Sequence, residues 1–280
     1  MSREPAATEL TRLSVMQEFK GIELTEKEKA LGLLHAYTLA TKRLEQDEKQ
    51  KRRALLIEEN KRMWTYEECK QIIFDRAKVI SEQENFEFVI DEDNEHVLHL
   101  LCLYFTNDPA FEEEEFNGVP YSLKKGIWIQ SPGRGTGKSL FLRLFENNKR
   151  SCYWYQHVEQ LRVLFMKAGI GEIERRTQPI ECSPGPGNFF QQEKGFMYDE
   201  IFAEDKVMFM GSPVNMSALI INSLYDFKKG QDWFWKFHVT SNYSGEEIEA
   251  KCGKTIRSRM VEMFNLIKLE GPDRRIKKKQ

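Results

Sequence analysis

Between two apolar runs the chain carries Ser131-Pro132-Gly133-Arg134-Gly135-Thr136-Gly137-Lys138-Ser139. A stretch of alternating glycines closing in Gly-Lys-Ser can aim successive backbone N–H groups and a helix N-terminus at an anion, because glycine tolerates the tight bends required. Upstream, Gly126-Ile127-Trp128-Ile129-Gln130 reads as a short strand. Downstream, Leu140, Phe141, Leu144 and Phe145 have the spacing of a packed helix. Strand, glycine loop and helix in that order predict an α/β fold with a phosphate cradle. Gly133, Gly135, Thr136, Gly137, Lys138 and Ser139 would form it, with Lys138 toward the β/γ-phosphates and Ser139 toward Mg²⁺. The general pattern places glycine at position 132, where this chain has proline. Pro132 gives up one N–H at the strand exit, away from the phosphate contacts. The alternative reading is a glycine-rich surface turn.

Later motifs favour the cradle. Phe196-Met197-Tyr198-Asp199-Glu200 is an apolar strand ending in two carboxylates. Asp199 suits an Mg²⁺ site reached through the ion's water shell, and Glu200 suits the orientation of an attacking water. The interval from Lys138 has room for a first helix, a strand at Cys152 to Tyr155 and a helix at His157 to Ala168. The proline-bearing stretch from Glu172 to Lys194 reads as a long loop. Next, Ile220, Leu224 and Phe227 mark a helix, and Trp235-Lys236-Phe237-His238-Val239-Thr240-Ser241-Asn242 a strand with a polar end. Asn242 then lies at the carboxyl end of a strand beside the cradle, able to position water or the γ-phosphate. A capping box, Ser244-Gly245-Glu246-Glu247, starts a helix that Gly253 can end. A corner, Thr255-Ile256-Arg257-Ser258-Arg259-Met260, leads to a last strand, Phe264 to Leu269.

The chain has 280 residues, 40% hydrophobic and 31% charged, which suits one sizeable α/β domain with an appendage. Residues 1–62 read as a helical arm, 63–119 as a helical linker region and 120–280 as the core. The arm is charge-dense and suits partner holding, self-association or mere solvation. Thr65-Tyr66-Glu67-Glu68 opens a helix running through Ile80, Glu95 to Phe105 reads as another, and Asn107 to Tyr121 as an acidic loop. His96 and His99 sit three apart with no further ligands nearby. A formal net charge of -2 and a pI near 6.3 confine any nucleic-acid contact to a local basic face. Five dispersed cysteines suit reduced thiols in a cytoplasmic protein, and no apolar run is long enough to span a membrane. Asn148-Lys149-Arg150-Ser151 departs from the guanine-reading Asn-Lys-x-Asp at its last position.

The ordered set GRGTGKS, FMYDE, HVTSN and TIRSRM resembles the AAA+ ATPases, and more narrowly their DnaC/IstB-type helicase-loader group, over residues 120–272. The resemblance implies a P-loop core with a central parallel sheet flanked by helices, after a helical N-terminal region. Few residues follow Leu269, which predicts no C-terminal lid. It also implies ATP and Mg²⁺, homo-oligomers, a replicative helicase as partner and single-stranded DNA. In such families an arginine before the last strand reaches a neighbouring subunit's γ-phosphate; Arg259 has the matching place, with Arg257 second. Arg162, Lys167 and the tail Arg274 to Lys279 are candidate DNA-facing cations, the tail equally readable as a solvated end. An IstB-like transposition ATPase and a regulatory or defence switch are the alternative functions.

Overall fold

In the computed structural model, the described residues are 21, 23–182, 192–203, 206–228 and 234–274. They fall into two compact units that divide after Leu56. The first unit contains most of α1 (Glu26–Lys61), a proline-free helix rich in Ala, Leu, Glu, Lys and Arg, the residues that lose least on entering a helix. Thr25 starts it by donating its backbone N–H and hydroxyl to Glu28, each at 2.7 Å. Leu31, Leu33, Leu34, Tyr37, Leu39 and Leu44 are each between 55% and 73% exposed, so they form no core of their own.

The second unit opens with α2 (Tyr66–Glu84), whose capping box forms as the sequence predicts. The Thr65 hydroxyl accepts the Glu68 N–H at 3.3 Å, and the Glu68 carboxylate accepts the Thr65 N–H at 2.9 Å. Next come α3 (Glu95–Thr106) and, where an acidic loop was expected, a 3-10 turn (Pro109–Glu112) and a hairpin of β1 (Glu115–Phe116) and β2 (Val119–Pro120). Phe111, fully buried against Tyr104 and Tyr121, anchors that segment. Its acidic residues hide the anchor from a reading by charge alone.

Then follow β3 (Gly126–Gln130), α4 (Lys138–Leu144), β4 (Tyr153–His157), α5 (Val158–Ala168), α6 (Ile170–Arg176), β5 (Ile180–Cys182) and β6 (Gln192–Asp199). The chain continues through β7 (Val207–Phe209), β8 (Ser212–Val214), α7 (Met216–Lys228), β9 (Phe237–Ser241), α8 (Gly245–Cys252), α9 (Lys254–Met263) and β10 (Phe264–Lys268). Five strands pair in parallel in the order β10-β3-β9-β6-β4, and β5 pairs antiparallel with the start of β6. Side chains alternate across the sheet. Ile127 and Ile129 face a core with α2 and α3, whereas Trp128 faces one with α5, α7, α8 and α9. With both faces covered, the strands read as nearly continuous apolar runs. Gly195 is required in β6, since a Cβ there would lie 1.7 Å from the Lys236 carbonyl oxygen.

Three expectations need correction. Residues 172–194 are not all loop: α6 fills their start, and β5 pairs antiparallel with the first residues of β6, while residues 183–191 lie outside the described residues. The Thr255–Met260 corner is helical, because Gly253 at φ 91° ends α8 and starts α9 at once. The helices of 63–119 are not a linker beside the core, since Cys69, Ile73, Leu101 and Phe105 share one apolar cluster with Ile129, Phe141 and Ile267. Residues 1–20 of the arm and 275–279 of the tail lie outside the described residues.

Candidate nucleotide site

The parallel register brings the carboxyl ends of β3, β9 and β6 to one edge, where an open α/β sheet takes its ligand. The glycine loop leaves β3 there and feeds α4. Gly135 (φ 73°) and Gly137 (φ 105°) adopt the left-handed backbone that other residues avoid. Pro132 breaks nothing: the loop is closed by Thr136 Oγ1 donating to Ser131 Oγ at 3.0 Å and by Lys138 Nζ donating to the Gly133 carbonyl at 3.0 Å. Lys138 is 5% exposed, so its ammonium rests against the cradle itself.

Asp199 stands opposite the loop, 3% exposed. Ser139 Oγ donates to its Oδ1 at 2.7 Å, and Thr240 Oγ1 to the same oxygen at 2.6 Å. Tyr155 donates to Oδ2 at 2.5 Å. Burial first, and then the Asp199 charge, hold the Tyr155 hydroxyl well above the ordinary phenol range, so it stays a donor. A serine hydroxyl and a carboxylate in contact at the mouth of a glycine loop are a hard-oxygen pair of the kind that holds Mg²⁺ beside phosphates. The residues present fit that ion.

Glu200 follows in a left-handed turn (φ 58°), with its N–H on Thr240 Oγ1 at 2.8 Å. Its carboxylate lies 3.4 Å from His157 Nε2. Asn242 stands just beyond β9, and its Oδ1 is buried with no hydrogen-bond partner among the described residues, a costly state that an incoming donor would relieve.

A cavity of about 390 Å³ lies beside the loop, lined by loop residues 134–139, Glu200, Phe86, Phe88 and Arg274; Asp199 and Asn242 are not among its lining residues. Arg274 was expected in a free basic tail; instead it belongs to this rim. Its N–H bonds the Gly135 carbonyl at 3.0 Å, and its guanidinium forks onto Asp91 at 2.7 and 2.8 Å. The carboxylate of Asp273 fills the space beside Gly135, where a Cβ would lie 1.8 Å from its Oδ1.

Arg259 does not line this cavity. It bonds Asn222 Oδ1 at 2.5 Å, approaches Asp226 at 3.5 Å and lies over the Tyr225 ring. Arg257 pairs with Glu249 and Glu246, and Arg162 with Glu159. His99 bonds the Tyr66 hydroxyl, and His96 the Lys268 carbonyl. Sequence reasoning missed Tyr155, Thr240 and the Asp91–Arg274 pair. Thr240 lies inside the HVTSN motif but was given no role of its own, Arg274 was read only as a cation of the tail, and Tyr155 carried no signal that singled it out.

Fold and site together define an α/β core with a glycine loop between β3 and α4 at the carboxyl edge of its parallel strands. No protein-family profile matches the sequence, and no curated protein does. Solved structures similar to this chain include the DnaC helicase loader, at 12% identity over 66% of this chain and 94% of that one, with a TM-score of 0.43. Another is DnaI, at 13% identity over 67% and 87%, with a TM-score of 0.42. Among the described residues, no helix is long and apolar enough to cross a membrane.

Proposed function

We propose that this chain is an AAA+ ATPase of the DnaC/IstB helicase-loader type. In this reading it binds ATP and Mg²⁺ in the cavity and hydrolyses ATP where protomers of a homo-oligomer meet. A replicative helicase, engaged by the N-terminal arm, and single-stranded DNA are the partners. The observation that carries the nucleotide reading is the Ser139–Asp199 contact at 2.7 Å beside the glycine loop. Lys138 and the amides of Gly133, Gly135, Thr136 and Gly137 hold the phosphates. Ser139 and Asp199 hold Mg²⁺, which neutralises charge on the phosphate oxygens. Glu200 orients the attacking water, and Asn242 the water or γ-phosphate. Arg259 enters from the next protomer, leaving Asn222 and Asp226 to do so; arginines of this kind contribute on the order of 10³ to 10⁵ in turnover.

Mixing inactive variants tests the shared site. Arg259→Ala and Lys138→Ala proteins, each slow alone, should regain turnover together, because some interfaces then combine an intact cradle with an intact arginine. Full activity of dilute monomers would refute the interface site. A second reading, nucleotide-switched interaction without turnover, is favoured by Glu200 lying against His157 while Arg259 is held by α7. Binding without hydrolysis in the assembled protein would select it. Co-purification of a replicative helicase through residues 1–62 tests the partner.

A further inference from the structure

The carboxylate of Asp199 is unusual in how its two oxygens are used. Oδ1 takes two hydroxyls, Ser139 at 2.7 Å and Thr240 at 2.6 Å, both within quoted motifs. Oδ2 takes Tyr155 at 2.5 Å, from the neighbouring strand β4. The parallel ladder sets this up: His157 pairs with Asp199 and Tyr155 with Met197, so the Tyr155 ring reaches two residues along β6. Tyr155 is half-buried, and the other tyrosine hydroxyl of this strand, Tyr153, donates instead to the Leu142 carbonyl at 2.5 Å.

A carboxylate with one oxygen anchored cannot rotate freely about its last torsion. Anchoring Oδ2 therefore leaves Oδ1 facing Ser139. Hydrogen bonding to Oδ2 also draws charge from that oxygen, so the two are no longer equivalent toward a cation. A hydrogen bond to a charged group is among the stronger ones in a protein, ample to select one orientation.

We propose that Tyr155 is a positioning residue of the metal site: its hydroxyl fixes the Asp199 carboxylate so that Mg²⁺ arriving with nucleotide meets an oriented Oδ1. This rests on the reading of Ser139 and Asp199 as the metal pair. The ordering cost is met when the protein folds, not when the ion binds. Tyr155 is not among the residues that line the cavity beside the glycine loop. Its removal therefore alters the dependence on Mg²⁺ and leaves the phosphate cradle intact.

The test measures binding of a fluorescent ATP analogue to the full chain, in EDTA and across an Mg²⁺ titration, for wild type and Tyr155→Phe. We expect equal affinities in EDTA and a half-saturating Mg²⁺ concentration about tenfold higher in the variant, the scale of a partly lost charge-assisted bond. Tyr153→Phe, which removes the other hydroxyl of β4, is expected to lower the melting temperature without moving the Mg²⁺ midpoint. In an Asp199→Asn background, Tyr155→Phe is expected to add no further shift. Should Tyr155→Phe not fold, Tyr155→Met serves in the same titration. An unmoved midpoint, an equal shift with Tyr153→Phe, or an additive loss in the Asp199→Asn background overturns the assignment of Tyr155 alone. A wild-type protein whose nucleotide affinity does not respond to Mg²⁺ at all overturns the metal pair, whereas one that binds no nucleotide in either EDTA or Mg²⁺ overturns the nucleotide reading itself.

Discussion

Thr240 is fully buried and makes two bonds that no apolar side chain could replace: it donates to Asp199 Oδ1 at 2.6 Å and accepts the Glu200 N–H at 2.8 Å. Thr240→Val keeps the shape and removes both. The Glu200 N–H then lacks a partner in a part-buried turn, which costs about 1–3 kcal/mol. Asp199 loses one of its donors, about 1 kcal/mol more. The sum is about 3 kcal/mol, or roughly 6–12 °C of melting temperature for a unit of this size. Thr240→Ser keeps the hydroxyl and loses one methyl group, about 1 kcal/mol. Urea unfolding of the two variants side by side, with thermal melts, separates the contributions. If Thr240→Val were no less stable than Thr240→Ser, the hydroxyl bridge would not be holding the turn, and the placement of Glu200 derived from it would be wrong.

Gly135→Ala should weaken nucleotide binding and lower stability, because a residue at φ 73° is strained by about 1–2 kcal/mol and its Cβ would displace the Asp273 carboxylate. Paired with Asp273→Ala it should recover the steric part only, measured as a non-additive change in the urea midpoint. The Glu68 carboxyl is held at about 2, chiefly by its hydrogen bonds from Arg62 and then by the Thr65 N–H. Its folded pKa is depressed. The stabilisation it gives is therefore present above the usual carboxylate pKa and is lost as pH falls toward 2. A carboxylate NMR titration should show this low midpoint, and Arg62→Ala should raise it.

The parts of this fold legible in the sequence are those that a local pattern dictates. Ser131–Ser139 declared its bend through its glycines, and Thr65 and Ser244 declared helix starts through reciprocal capping. The Phe196–Asp199 run declared a strand with a charged end. What stayed hidden depends on contacts far apart in sequence. Tyr155 meets Asp199 only because β4 and β6 pair in one particular register, which no spacing reveals. The 107–121 segment looked like loop because its glutamates outnumber the one phenylalanine that anchors it. Arg274 looked like the start of a disordered basic end because its partner, Asp91, is 183 residues away. Arg257 and Arg259 lie on a helix whose start at Gly253 coincides with the end of the one before, so the boundary erased the usual signal.

The backbone after β10 runs back alongside the glycine loop: the Leu269 N–H meets Gln130 O at 2.8 Å, and the Arg274 N–H meets Gly135 O at 3.0 Å. Those two bonds splint the bend that the nucleotide is read to occupy, and they tether its rim to sequence distant in the chain. An affinity handle or reporter fused beyond Arg274 would therefore hang at the mouth of the cavity and pull on the splint. One fused before α1 would be attached to neither of these two bonds.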